Sequence, residues 1–270
     1  EVAAAWASGG LSLKNALTVA YHRSRLQHTT AGKGAMLAVG LAPEEAAHWV
    51  EEFGEKVSIA AINSPSAVTL AGDQLTLESM AAKLEEQQCF NKFLNVEVPY
   101  HSPVMDEIET ELLNALDNIK TEKRHTPLIS TVTGEEMSGD HDAGYWWKNV
   151  RQSVLFSKAI STALASEYSV FVEIGPHPVL ASSIIETAKQ KSKQVTSVPT
   201  LIRKQSEMAS LSFGLGKLYS AGINPDWSVY FGSTAHTKLP TYSWHKSLFW
   251  NETERAKQYR LPHEGHPLVS

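Results

Sequence analysis

Apolar positions in this chain fall into two patterns, short continuous runs and stretches with helical spacing, and the two alternate along the sequence. Leucine and alanine recur at helical spacing from residue 13 to about residue 27, and Ser12 stands where an N-cap is expected. Residues 169–174 are almost continuously apolar, which is typical of a strand buried on both faces. The alternation predicts an α/β fold.

Residues 33–97 carry the clearest rhythm of strands and helices. The pattern predicts four strands, at residues 35–39, 57–62, 67–71 and 93–98. A helix is expected to begin at Pro43, and a second one after Asp73. The order βαββαβ is that of a ferredoxin-like unit, although a stretch of a larger α/β sheet would read similarly. The turn-forming residues 63–66 favour the separate subdomain.

The remaining pattern predicts further helices and strands on either side of this unit. Helices are expected from Ser102, at 145–150, at 155–165, at 179–189 and at 207–220, and strands at 128–132 and 195–201. From residue 226 onward the periodicity fades and aromatic residues accumulate. We interpret that segment as an extended tail whose rings anchor it to a folded body.

Composition narrows the class of protein. The chain has 270 residues, 42% of them hydrophobic and 20% charged, which excludes a disordered or collagenous protein. A net charge of −5, with no basic block, argues against nucleic-acid binding. No apolar run approaches the ~18 residues of a membrane span. The single cysteine, Cys89, excludes an intrachain disulfide and a cysteine-based zinc site, so we expect a cytoplasmic protein.

Four positions are candidates for chemistry on the residues alone. His101 lies between a predicted strand and a predicted helix, where α/β folds form sites and where the helix terminus would lower its pKa. A structural histidine fits that position equally well. Arg23 is either a solvated arginine on a helix flank or an anion clamp, and Asn149 is a helix-end amide. His141 lies between two aspartates, which is more typical of a solvated loop than of a metal site.

The sequence offers no nucleophile to pair with these residues. It contains no Gly-x-Ser-x-Gly nucleophile elbow. Gly32-x-Gly34 is too weak a pattern for a phosphate loop. Residue-level reasoning therefore reaches an α/β domain with one candidate base.

Several segments together resemble the acyltransferase domain of a type I polyketide synthase. Glu1 to Ala5 resembles the residues directly after the Gly-His-Ser-x-Gly elbow of that family, and Val98 to Met105 resembles its catalytic-histidine segment. Further matching segments are 22–26, 34–40, 63–65, 71–72, 145–151 and 171–180. In the tail, 239–244 and 249–250 resemble the linker after the domain, and 266–268 resembles the start of a dehydratase domain.

The resemblance implies a fold with definite boundaries. It implies a hydrolase-like α/β core, incomplete at its N-terminus, at residues 1–32 and 98–202, with a ferredoxin-like subdomain inserted at 33–97. Residues 203–265 would be the helix and aromatic linker after the domain, and 266–270 the start of a dehydratase-like domain. Glu1 itself falls inside a predicted helix, so we expect the chain to be a piece of a larger polypeptide.

The resemblance also implies an activity. A serine would take malonyl from malonyl-CoA and pass it to the phosphopantetheine thiol of an acyl carrier protein, with no bound cofactor or metal. His101 would be the general base, Arg23 would bind the substrate carboxylate, and Asn149 would orient the imidazole of His101 through a side-chain or backbone carbonyl. Tyr100 would crowd an α-methyl branch and favour malonyl over methylmalonyl, unless it only packs against the small subdomain.

The serine is the departure from the family pattern, because it would lie three positions before Glu1. The expected partners are the carrier protein and adjoining ketosynthase and dehydratase domains. Two alternatives remain open, a non-catalytic remnant that bridges those domains and an acyl-thioester hydrolase. The combination of Arg23, His101 and Asn149 argues against the remnant, and a cation at position 23 argues against a hydrolase of uncharged acyl groups.

Overall fold

Helices and strands alternate in the computed structural model, which describes residues 1–232, 238–247 and 250–260. The prediction of a mixed α/β fold is confirmed. The chain divides into two compact units, Glu1–Pro225 and Asp226–Ser270. The helices of the first unit are α1 Val2–Ala7, α2 Leu13–His28, α3 Pro43–Phe53, α4 Gln74–Glu86, α5 Glu109–Leu116, α6 Ala143–Arg151, α7 Phe156–Ala165, α8 Ala181–Gln190 and α9 Glu207–Ser220. Its strands are β1 Ala35–Val39, β2 Val57–Ser64, β3 Ala67–Gly72, β4 Asn91–Phe93, β5 Val170–Glu173 and β6 Thr196–Pro199.

The first four strands form one sheet in the order β2-β3-β1-β4, with every neighbouring pair antiparallel. The strand and helix order expected for residues 33–97 is the observed one. Asp73 caps α4 by accepting a hydrogen bond from the backbone N–H of Thr76 at 2.9 Å. Helices α3 and α4 cover the sheet with a core drawn entirely from residues 35–89, including Leu37, Leu70, Leu77, Met80 and Leu84.

The fourth strand is shorter and earlier than predicted. It pairs with β1 from Asn91 to Phe93, not over residues 93–98. Phe93 lies opposite Leu37, and β1 begins at Ala35, so β1 offers almost no partner beyond Leu94. After the strand, the Glu97 carbonyl accepts a hydrogen bond from the Gly32 N–H at 2.8 Å, which joins the entry and exit of the subdomain.

A second core cluster lies where α1, α2, α5 and α6 pack together. Its buried members are Ala5, Leu11, Ala16, Val19, Leu26, Val98, Met105, Ile108, Leu112, Leu116, Trp146 and Val150. The helix expected from Ser102 begins as a 3₁₀ helix, Pro103–Ile108, and continues as α5. The strand predicted at 128–132 is wrong, because its backbone pairs locally with 135–137 and forms only a single bridge between Ile129 and Glu136.

Strands β5 and β6 form a parallel pair beside α7 and α8. The prediction that β5 is buried on both faces is wrong. Val172 is 42% exposed, and Ile174, just after the strand, is 82% exposed. Within the described residues β5 pairs with β6 alone, and the core cluster beside it takes up Phe171.

The described residues of the second unit include two short helices, α10 Trp227–Phe231 and α11 Glu254–Arg260. Its described rings include Tyr242, Trp244 and Trp250, whose side chains are exposed. That they anchor the segment to a folded body stays a prediction. Phe249 and the dehydratase-like residues 266–270 lie outside the described residues. The described helices include none with the length and apolar character of a membrane span.

Candidate active site

The backbone of His101 is fixed in an unusual conformation. Its φ of +60° lies in the left-handed region, which residues other than glycine rarely adopt. The hydroxyl of Ser58, on β2, donates a hydrogen bond to the His101 carbonyl at 2.9 Å. The buried hydroxyl of Ser102 donates to the Pro99 carbonyl at 2.7 Å. Bonds on both sides therefore hold a strained residue in place, as is common at functional sites.

The imidazole of His101 is oriented by a backbone carbonyl. Its Nδ1 lies 2.8 Å from the carbonyl oxygen of Gln152. Because a carbonyl can only accept, Nδ1 carries the hydrogen and Nε2 is left as the basic nitrogen. Gln152 ends α6 with an extended backbone, ψ 160°, so its carbonyl leaves the helical hydrogen-bond ladder.

The orienting contact predicted for Asn149 is therefore made by Gln152. Asn149 lies one turn earlier, inside α6. It is 6% exposed, and its buried Oδ1 accepts no hydrogen bond from the residues that the structure describes. The structure thus places Asn149 near the site but gives the contact with the imidazole to the residue at the end of the helix.

Burial lowers the pKa of His101, and the positive charge of Arg23 lowers it further. The Gln152 contact and the charge of Glu1 act in the opposite direction and are outweighed. The predicted direction is correct, although burial rather than a helix terminus is its main cause. The imidazole is therefore neutral, and basic, over a wider pH range than a solvated histidine.

Arg23 is withdrawn from water rather than solvated on a helix flank. Burial lowers the pKa of its guanidinium, while the charge of Glu1 raises it. Its Nε is buried without a hydrogen-bond partner among the described residues. Its Cζ lies 5.9 Å from the ring centroid of Trp146. A half-buried cation with unused donors is well suited to binding an anion.

Tyr100 lies between the helical core cluster and the four-stranded sheet. Its ring packs against the cluster of α1, α2, α5 and α6 and against Met36, Ala60 and Ala71 of the sheet subdomain. The packing role considered from the sequence is therefore present in the structure. A contact between Tyr100 and substrate stays a prediction.

A cavity of about 580 Å³ opens beside His101. It is bounded by α3, β2 and the segment after α6, and Ser58, Gln152 and Ser153 line it. Ser58 and Ser153 each donate to a backbone carbonyl, of His101 and Ile59 respectively. Both hydroxyls are thus engaged with the backbone instead of the imidazole, which leaves His101 without a nucleophile among the serines lining this cavity.

Sequence reasoning misses two contributors to the site, Gln152 and the charge of Glu1, and misjudges the burial of His141. The Gln152 contact is made by a backbone carbonyl, which has no residue-type signature. Glu1 accepts a hydrogen bond from the Thr131 N–H at 2.9 Å, and its charge acts on both His101 and Arg23. His141 is fully buried, not solvated, and stacks on Trp146. Among the described residues no cluster of three or more potential metal ligands occurs.

Comparison with known proteins places the chain in a family. A family model for the acyl transferase domain matches residues 1–225. Mycoketide-CoA synthase of Mycobacterium tuberculosis is 33% identical over 277 residues, which cover 100% of this chain and 7% of the synthase.

Solved structures agree with the family match. The acyltransferase domain from module 8 of the salinomycin polyketide synthase matches with a TM-score of 0.82 and 32% identity, covering 84% of this chain and 54% of that one. The acyltransferase domain of SpnD, solved with 2-(pent-4-yn-1-yl)malonyl, matches with a TM-score of 0.73 and 28% identity, covering 81% and 53%. The chain thus spans about half the length of these two structures and a small part of the synthase. It belongs to the acyl transferase domain family, as a relative of the acyltransferase domains of polyketide synthases.

Proposed function

We propose that this chain carries the general base and the carboxylate-binding cation of a polyketide synthase acyltransferase that transfers malonyl from malonyl-CoA to an acyl carrier protein. The observation that carries the proposal is the placement of His101, whose Nδ1 lies 2.8 Å from the Gln152 carbonyl oxygen and whose pKa is lowered by burial and by nearby Arg23. The nucleophile in this proposal is a serine outside residues 1–270.

The transfer has two matching halves. In the first, Nε2 of His101 takes the serine proton as the serine oxygen attacks the thioester carbonyl. The carbon–sulfur bond then breaks, and the CoA sulfur leaves with the proton from the imidazolium. In the second half, His101 takes the proton of the phosphopantetheine thiol and the sulfur attacks the carbonyl carbon of the serine ester. The carbon–oxygen bond of the ester then breaks, and the serine oxygen leaves with the proton from the imidazolium.

Each group of the site, the Gln152 backbone carbonyl included, has a distinct part in this scheme. The Gln152 carbonyl holds the Nδ1–H and stabilises the imidazolium that forms at each step. The guanidinium of Arg23 pairs with the free carboxylate of malonyl. Tyr100 borders the α-carbon and disfavours a methyl branch there.

We further propose that residues 1–32 and 98–202 belong to a hydrolase-like core and that 33–97 is its ferredoxin-like insert. The antiparallel order β2-β3-β1-β4 supports the insert. The carrier protein, a ketosynthase and a dehydratase are the proposed partners. This chain covers 7% of the matched synthase, and that small share supports the presence of further domains beside it.

The test is transfer of radiolabelled malonyl from malonyl-CoA to carrier protein by the full polypeptide that contains this chain. His101→Ala is expected to reduce transfer by at least ~10²–10⁴-fold, the usual contribution of a general base. His125→Ala is the matched control, since His125 is exposed and its Nδ1 lies 3.0 Å from the hydroxyl of the neighbouring Thr126. Undiminished transfer by the His101 variant would overturn the assignment.

The same assay separates the alternatives. An acyl-thioester hydrolase would release free malonate and leave the carrier protein unloaded. A non-catalytic remnant would neither become acylated nor release malonate. Either result would replace the proposed transfer function.

A further inference from the structure

The guanidinium of Arg23 lies over an aromatic ring. Its Cζ is 5.9 Å from the centroid of the Trp146 ring, which is fully buried. A cation within about 6 Å of such a centroid is attracted by the ring quadrupole, and more strongly where water is excluded. The indole thus provides an attractive contact at a place where Arg23 has lost hydration.

The Trp146 ring is itself locked by its neighbours. Its Nε1–H donates to the His141 carbonyl at 3.0 Å. The His141 imidazole stacks on it with centroids 5.7 Å apart and an interplanar angle of 21°. The Tyr145 ring meets it edge-on at 5.1 Å and 84°. Rings on more than one side leave the indole little rotational freedom.

The position of His141 is explained by its packing against these rings. It is fully buried, and neither of its ring nitrogens has a hydrogen-bond partner in the part of the chain that the structure describes. A buried, unsatisfied polar ring is unfavourable, so it needs a compensating role. The fit is tight, since a Cβ on Gly10 would lie 2.8 Å from its Cε1. The favourable contacts of this ring include its stack on the indole and an edge-on contact with the Tyr145 ring at 5.2 Å.

We propose that Trp146 is a positioning residue that fixes the plane of the Arg23 guanidinium for the substrate carboxylate. A guanidinium binds a carboxylate at its edge, in its own plane, which leaves its face available to an aromatic ring. Ring and substrate therefore use different parts of one group. Fixing the plane in advance removes part of the entropy cost of binding. This inference rests on the proposed function of Arg23.

The test changes the ring quadrupole without changing the shape of the residue. Mono- and tetrafluorotryptophan are introduced at position 146 of the full polypeptide, and kcat and KM are measured with malonyl-CoA and with acetyl-CoA. We expect KM for malonyl-CoA to rise with fluorination, by about 2- to 30-fold at most, the range of a cation–π contact. The kcat values and KM for acetyl-CoA should stay constant. The same analogues at Trp147, a partly buried ring on the same helix, should change neither constant.

Simple variants provide a second measurement. Trp146→Phe keeps an aromatic face and should retain most of the malonyl preference, whereas Trp146→Leu should lose it. An unchanged KM for malonyl-CoA across the fluorinated series would overturn the inference, and so would an equal loss with both substrates. If replacing Arg23 itself leaves the malonyl preference intact, the proposed role of Arg23 fails instead, and the two failures are distinguishable.

Discussion

Replacing Arg23 with methionine should separate binding from stability. Methionine keeps an unbranched apolar stem of similar length but removes the charge and all five donors. No described residue accepts a hydrogen bond from the buried Nε of Arg23, and burial lowers the pKa of the guanidinium. The buried cation therefore lowers the free energy of unfolding in the absence of ligand, and it becomes favourable when an anion binds to it.

The two effects can be estimated from the contacts. Losing a charge-assisted hydrogen bond costs about 1.5–3 kcal/mol. The specificity constant kcat/KM for malonyl-CoA should therefore fall by about 10- to 150-fold. Removing an unsatisfied buried donor should stabilise the fold by about 1–3 kcal/mol. The lost contact between Arg23 and Trp146, about 0.5–2 kcal/mol, is largely replaced by a sulfur–aromatic contact of about 0.3–1.5 kcal/mol.

The assay combines competition between malonyl-CoA and acetyl-CoA with urea denaturation of the same preparation. Arg23→Met should shift selectivity toward acetyl-CoA and raise the urea midpoint. Arg25→Met is the control on the same helix, because Arg25 is exposed and pairs with Glu111 at 2.7 Å. It should leave selectivity unchanged and cost at most about 1 kcal/mol of stability.

One pattern of results would refute this reasoning. If Arg23→Met loses both substrates equally and lowers the urea midpoint, Arg23 is a structural cation that the folded state needs. The carboxylate would then be bound elsewhere.

Three further predictions concern the base, the specificity residue and the sheet. Burial lowers the pKa of His101, and the base must be neutral to accept a proton. When kcat/KM is measured against pH, its fall on the acid side should therefore have a midpoint below the ordinary histidine pKa of about 6.5. A midpoint above that value would contradict the assignment. The protein should prefer malonyl-CoA over methylmalonyl-CoA by no more than ~10–200-fold, the limit for one methyl clash, and Tyr100→Ser should reduce that preference. An unmutated protein that prefers methylmalonyl-CoA in a competition assay would disprove this role. Gly72→Ala should destabilise the fold by about 1–3 kcal/mol in urea denaturation, since its Cβ would lie 2.1 Å from the Lys56 carbonyl oxygen, whereas Gly216→Ala, with open space around it, should not.

Elements governed by local chemistry are predictable from the sequence. Ser12 accepts a hydrogen bond from the Asn15 N–H at 3.2 Å as the cap of α2, and Asp73 caps α4 in the same way. Such caps depend on residues within one turn of the helix. The strands predicted at 93–98 and 128–132 fail because a strand needs a partner, and the partner lies elsewhere in the chain. An apolar run shows which residues prefer burial but not whether a neighbouring strand extends far enough to pair with them.

In the site, too, some residues can be predicted from their local sequence and others cannot. His101 is identifiable because its neighbours have a characteristic order, and Arg23 because of the segment around it. The carbonyl of Gln152 is not, since every residue carries one and only the end of α6 turns this one toward the imidazole. The expectation for His141 is wrong because the aspartates beside it indicate solvent, whereas its ring packs into the Trp146 stack.

The hydrogen bond between Gly32 and Glu97 has a consequence for how such domains diversify. It closes a segment whose core is drawn from its own residues, so the segment enters and leaves its host at a single point. Units with adjacent ends and a private core can be exchanged between relatives without rebuilding the host. The exchange would not be neutral for chemistry, because the Ser58 hydroxyl that holds the His101 carbonyl comes from the exchanged segment. A recombined domain therefore needs that hydrogen bond restored, together with the bonds that join β2 to Ser153 and Val154 of the host.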